Sequence, residues 1–169
     1  MARRETARQA IKTPQRPRQD CRCRPGRSRV ILYLDTSSLL KLYLEEPGTK
    51  EVRFRLERAD VVATSVIAYP EAHAALARRR REGALTKGEF NAVAEDFRDT
   101  WYRFLAVILS TPVYTRAGNF AVTYSLRGMD GIHLASCVEL SKNGDRVEFL
   151  SHDIRLMRAA SKELKKQRT

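Results

Sequence analysis

Four carboxylates in this chain stand where an apolar element stops or turns: Asp35, Glu71, Asp130 and Asp153. If the fold gathers them, they repel one another unless a cation or a proton intervenes. Oxygen-only donors suit a hard cation such as Mg²⁺, which is commonly held by one or two carboxylates while keeping waters and substrate phosphate oxygens. One or two such ions can generate hydroxide from bound water and neutralise the oxygens of an in-line displacement. The chemistry these residue types could perform together is therefore metal-assisted phosphodiester hydrolysis.

The elements that must position them are legible. Val30-Ile31-Leu32-Tyr33-Leu34 is apolar at every position, as an inner parallel strand covered on both faces requires, and Asp35 ends it ahead of Thr36-Ser37-Ser38. That is the carboxyl end of a strand, where open α/β sheets place their ligands. A second apolar run, Val61-Val62-Ala63-Thr64, precedes a helical pattern in which Ile67, Ala68, Glu71, Ala74 and Ala75 share one face, setting Glu71 in an apolar stripe. Asp130 opens a helix continuing through Leu134, Ala135 and Val138, and Asp153 follows the last strand, Val147-Glu148-Phe149-Leu150. Taken singly, Asp35, Asp130 and Asp153 also read as ordinary helix N-caps. Glu71 does not, because it lies too far into its pattern.

In order and spacing, the segments around Tyr33-Leu34-Asp35-Thr36-Ser37, Ser65-Val66-Ile67-Ala68-Tyr69-Pro70-Glu71, Leu126 to Ala135 and Leu150-Ser151-His152-Asp153 resemble the four motifs of PIN-domain ribonucleases, specifically VapC-type toxins of toxin-antitoxin pairs. The resemblance runs from about Val30 to the C-terminus. It implies an α/β fold, a PIN-like α/β/α sandwich with a central parallel sheet flanked by helices. It also implies a Mg²⁺- or Mn²⁺-dependent endoribonuclease with Asp35, Glu71, Asp130 and Asp153 as metal-site acids. Asp35 and Asp130 are the expected direct ligands, Glu71 and Asp153 ligands or water-positioning groups, and Thr36 and Ser151 supporting hydroxyls. The implied partners are an RNA substrate, a small antitoxin protein and a second copy of the chain. Pro70 departs from the usual pattern and fits a helix only in its first turn. Met129 stands where an aromatic is more usual, and Gly131 where alanine is.

The formal charge is +12 over 169 residues. Residues 1–29 hold ten Lys/Arg against two acids, so they contribute +8 and the remainder +4. This Pro- and Arg-rich stretch has too few apolar residues to order itself, and two readings stand: a basic disordered arm that attracts RNA, or a start-site extension ahead of a domain spanning 30–169. It has no apolar h-region, and no segment has the apolar length of a membrane span. Cys21, Cys23 and Cys137 form no zinc pattern, and a reducing cytoplasm is the expected setting.

The segment Thr86 to Ser110 reads as one helix with a capping box, Thr86 with Glu89, and an apolar stripe of Phe90, Val93, Phe97, Trp101, Phe104 and Ile108. That stripe could pack on the Glu71 helix or form a dimer seam. Arg78-Arg79-Arg80-Arg81 reads as a solvated helix end favoured by the dipole, or as an RNA phosphate contact. His73 and His133 read as packed helix residues, His152 as a residue outside the chemistry, and Glu45 and Glu46 as a solvated helix end. Two other functions are compatible with the sequence: a catalytically weak PIN-fold RNA-binding module, and a nuclease acting on DNA. A haloacid-dehalogenase-type phosphatase is disfavoured, because Ser37 stands where its second aspartate belongs.

Overall fold

The structure, a computed structural model, describes residues 29–167. The readings of the basic N-terminal stretch and of Cys21 and Cys23 fall outside the described residues, apart from Arg29.

Strand β1 (Val30–Leu34) is the apolar run that ends at Asp35. It pairs in parallel on both sides, with β2 (Val61–Ser65) through Ile31 opposite Val61, and with β4 (Arg146–Leu150) through Leu34 opposite Leu150. The short β3 (Leu105–Val107) pairs in parallel with β2, giving the order β3-β2-β1-β4. Parallel strands need crossovers, and helices supply them on both faces.

Alternation along β1 sends Leu32 and Leu34 to one face, and Ile31 and Tyr33 to the other. The first face packs on α1 (Thr36–Leu40), α2 (Thr49–Leu56), α3 (Ala68–Arg81) and α4 (Lys87–Thr100), with Leu39, Val52, Leu76 and Phe97 fully buried. The second packs on α6 (Gly128–Ser141) and α7 (Ile154–Lys166) through Leu134, Cys137, Leu156 and Ala159. Helix α5 (Thr111–Tyr124) lies outside α6, with Val113 and Ala117 against Ala135. This is the expected α/β/α sandwich around a parallel sheet.

The long helix expected over Thr86 to Ser110 is shorter than the sequence pattern implies. Its capping box is present, with the Thr86 hydroxyl accepting from the Glu89 amide at 3.2 Å and the Glu89 carboxylate from the Thr86 amide at 2.9 Å. The helix stops at Thr100, whose hydroxyl bonds back to the Asp96 carbonyl at 2.6 Å and meets the Tyr43 hydroxyl at 2.5 Å. One 3₁₀ turn (Trp101–Arg103) follows, and then β3. The hydrogen bonds that β2 offers along its free edge outweigh the continuation of a helical period. Phe90, Val93, Phe97, Trp101 and Phe104 pack into the first core, whereas Ile108 is 70% exposed.

Helices α5 and α6 touch backbone to backbone. A Cβ placed on Gly131 would lie 2.7 Å from the Ala117 carbonyl oxygen, so the departure to glycine in the third motif has a steric reason. Gly118 in α5 has open space around it. Gly131→Ala is expected to cost about 1 to 3 kcal/mol by overpacking, and Gly118→Ala to be neutral or stabilising by up to about 1 kcal/mol. Urea unfolding of both variants checks this; equal stabilities would mean the two helices are not held in backbone contact.

Candidate active site

Asp35 ends β1 and caps α1, with extended backbone (φ −69°, ψ 170°). Its carboxylate accepts from the Ser38 amide at 2.8 Å, the Ser37 hydroxyl at 3.0 and 3.2 Å, and the Ser151 hydroxyl at 2.8 Å. Ser151 directly follows β4, and its Oγ also accepts from the Asp153 amide at 3.0 Å. One buried hydroxyl therefore joins the first and fourth acidic segments across neighbouring strands. Asp153 caps α7, its Oδ1 accepting from the amides of Arg155 and Leu156 at 2.7 and 2.9 Å. For Asp35 and Asp153 the capping reading holds, and it coexists with their place on the rim.

Asp130 does not cap. Arg127 takes that position, and Asp130 is the third residue of α6, half-buried in its first turn. Burial raises its carboxyl pKa above the usual range, and the negative charge of Asp153 raises it further, against smaller opposing effects from the Arg127 backbone amide and the His133 and Arg127 side chains. The third and fourth acids therefore sense one another.

Glu71 sits lower in energy as an anion. Burial opposes its ionisation, but hydrogen bonds from His133 and Thr36 outweigh that, and its pKa is lowered. The Thr36 hydroxyl donates to Oε2 at 2.5 Å, and His133 Nε2 lies 3.1 Å from the same oxygen. Pro70, third residue of α3, falls in the first turn where its missing N–H has no helical partner, and the Glu71 amide bonds Ile67 at 3.2 Å. The buried face of α3 is Ala68, Ala72 and Leu76; Ala74 is exposed. Glu71 therefore stands at the margin of the apolar stripe rather than within it, which is how its head reaches the rim.

His133 is the residue the sequence reading passed over. It is 2% exposed, with Nδ1 3.1 Å from the Tyr33 hydroxyl and Nε2 3.0 Å from Thr36 Oγ1. Burial holds the Tyr33 phenol well above its ordinary pKa, so it stays a donor. The network is satisfied with Tyr33 donating to Nδ1 and the imidazole proton on Nε2, facing Glu71 and Thr36. The available signal was its place one turn after Asp130 on an apolar helix, together with a tyrosine in the central strand whose buried hydroxyl needs a partner.

The other candidates are placed differently. His73 is packed among Tyr69 and Phe97, with ring centroids at 4.7 and 5.6 Å. His152 Nδ1 lies 3.1 Å from Ser38 Oγ, and its ring fills the space that a side chain at Gly48 (φ +94°) would need. Glu45 and Glu46 lie in the loop after α1, not on a helix end; Glu45 pairs with Arg53 at 3.0 Å, and Glu46 with Lys41 at 3.2 Å and Arg79 at 2.5 Å. The four arginines do end α3. Arg79 is committed to Glu46, Arg78 lies 3.8 Å from Glu82, and Arg80 stacks over Phe90 at 5.4 Å.

Short links thus run from Asp35 through Ser151 to Asp153, from Asp153 electrostatically to Asp130, and from Glu71 through Thr36 back beside Asp35. Two open clefts are lined in part by these acids. One, of about 660 Å³, is lined by Glu71, Asp130, Tyr114 and Met129; the other, of about 620 Å³, by Asp153, Tyr124, Arg158 and Lys162. Among the described residues no three Asp, Glu, His or Cys side chains form a ready-made metal cage. The donor set nevertheless fits a hard cation, because such an ion needs only one or two carboxylates and the Asp130 anion is destabilised by a neighbouring charge that a cation would offset.

A family model described as the PIN domain matches residues 32–162. The chain belongs to the PIN-domain family. Over 114 residues it is 34% identical to Ribonuclease VapC45 of Mycobacterium tuberculosis (strain CDC 1551 / Oshkosh), covering 68% of this chain and 79% of that protein. The same figures hold for Ribonuclease VapC49 of strain ATCC 25618 / H37Rv. Ribonuclease VapC47 of strain CDC 1551 / Oshkosh is 28% identical over 131 residues, covering 75% of this chain and 88% of that protein. The PIN domain described here is accordingly of the VapC type.

Because the folded-state pKa of Asp130 is raised, its ionised form subtracts stability at neutral pH, and that loss is relieved as pH falls through the folded-state value. Asp153→Asn keeps a good capping residue while removing the charge. The Asp130 carboxyl carbon, followed by NMR through a pH titration in EDTA, is expected to titrate at lower pH in the variant. An unchanged midpoint would show that the two acids are not electrostatically coupled.

Proposed function

We propose that this PIN domain is a metal-dependent endoribonuclease, the toxin component of a toxin-antitoxin pair, with Asp35, Glu71, Asp130 and Asp153 as its acidic centre and Mg²⁺ or Mn²⁺ as its ion. The reading is supported by the short links between the acidic segments, Asp35 to the Asp153 amide through Ser151 and Asp153 electrostatically to Asp130, in a chain whose relatives bear the name ribonuclease.

The ion, when bound, lowers the pKa of its water and offsets charge on the phosphate oxygens. Asp130 and Asp153 would hold it most directly, in place of the Asp35 and Asp130 pair expected from the sequence. Asp130 is destabilised by its neighbour, and only Oδ1 of Asp153 is engaged by the α7 amides. Asp35, its carboxylate kept in place by Ser37, Ser38 and Ser151, would support it from the end of β1. Glu71, anionic and oriented by Thr36 and His133, positions the attacking water and can accept its proton. The alternative of a catalytically weak binding module drew its motive from Pro70, which the first turn of α3 accommodates. No feature of the site favours DNA. The expected antitoxin is a small protein that offers a basic side chain to this acidic rim.

Purified protein incubated with a total RNA pool is expected to cut it with Mg²⁺ or Mn²⁺, and not with EDTA. Asp130→Asn is expected to lower the rate at least about 100-fold, the usual scale for removing a group that positions or stabilises the reacting atoms. Cleavage that persists in EDTA, or in the variant, would overturn the assignment.

A further inference from the structure

The two clefts that hold Asp130 and Asp153, acids close enough to interact electrostatically, differ in chemistry. The first, between α5 and α6, exposes Tyr114 and Met129, each about half exposed, beside Asp130. The second runs along α7 beside Asp153 and carries Arg158 and Lys162, one helical turn apart on the same face. Neither cation makes an ion pair among the described residues, unlike Arg78 and Arg79 at the end of α3. The clefts are fixed relative to one another, because Arg155 at the start of α7 donates from Nη1 to the carbonyl of Ser125 at 3.0 Å, and Ser125 ends α5 in a left-handed conformation.

A single nucleic-acid strand has the same duality, with charged phosphates on one side and flat apolar base faces on the other. On the proposed endoribonuclease reading, we infer that one RNA strand lies across both clefts. Its backbone runs along Arg158 and Lys162 of α7, an unstacked base rests against Tyr114 and Met129, and the phosphate to be cut sits over Asp130 and Asp153. The basic track is thereby assigned to α7 rather than to the arginine cluster of α3. Base preference, in turn, is assigned to the α5–α6 cleft.

The two halves leave different signatures. Removing a phosphate contact lowers the salt dependence of binding, by about 0.7 in the log–log slope per contact for a single strand. Removing a stacking platform weakens binding without changing that slope. Binding of a fluorescent single-stranded RNA is measured by anisotropy over a salt series in Mg²⁺, with full-length chain carrying Asp130→Asn to suppress cutting. Cleavage of the same RNA is measured in the otherwise wild-type background. Arg158→Ala with Lys162→Ala is expected to weaken binding about ten-fold or more and reduce the slope by about 1.4. Tyr114→Ala is expected to weaken binding about ten-fold with the slope intact, and to change which base flanks the cut. Arg158→Lys with Lys162→Arg should restore binding, which a folding defect would not.

Unchanged binding in the α7 variant, with wild-type cleavage normal, overturns the inference and leaves the nuclease reading standing. The same follows if Arg80→Ala with Arg81→Ala takes the larger share of the slope. Wild-type protein that neither binds nor cuts RNA overturns the nuclease reading, and the inference with it.

Discussion

Asp130 and Asp153 carry like charges close enough to repel, and the acids on this side of the PIN domain depend on donors that the fold holds in place. Three of the acids are held by donors fixed elsewhere in the fold: helix-start amides for Asp35 and Asp153, a threonine hydroxyl and an imidazole for Glu71; Asp130 has only the weaker influence of the amide of Arg127, the residue that caps its helix. Amides at helix starts carry partial positive charge and are fixed by the fold. The strand-then-helix repetition thus supplies both the positions of the charges and the fields that make them tolerable. The parallel sheet follows from the same need, since it alone brings several strand carboxyl ends, each followed by a helix start, to one edge.

The Ser151 hydroxyl is the smallest part of this arrangement and has wide reach. It donates to Asp35 and accepts from the amide of Asp153, so the ends of β1 and β4 are in register at the rim as well as through their ladder. Tyr33 does the corresponding service one layer deeper. Its ring stacks on Phe149 in the core, and its hydroxyl reaches His133, tying the centre of the sheet to the imidazole that faces Glu71. Packing and polar order are therefore continuous from the second core to the site.

Much of this was legible before the fold was known. The all-apolar run Val30–Leu34, the acid at its end and the capping box at Thr86 are local patterns, and local patterns survive folding. What escaped depends on contacts between distant segments. The helical period continuing past Thr100 is real in sequence, but residues 105–107 meet the open edge of β2, and a sheet edge is not visible in a helical wheel. His133 read as a packed helix residue because it is one; that its buried nitrogens face Tyr33, Thr36 and Glu71 is set by three other elements. The placing of Glu71 at the margin of its stripe likewise depends on which side of α3 the sheet takes.

Asp35 and Asp153 are at once rim acids and helix caps, and this has an evolutionary consequence. Replacing a capping Asp by alanine costs about 1 kcal/mol of stability in addition to whatever chemistry is lost. Against a total stability of about 5 to 15 kcal/mol, that is a sizeable fraction. A substitution at either position is therefore felt twice, once through the lost cap and, on the proposed function, once through the chemistry. Arg158 and Lys162, exposed on α7 and making no ion pair among the described residues, carry no such double burden, so that surface is free to change without the loss of a cap.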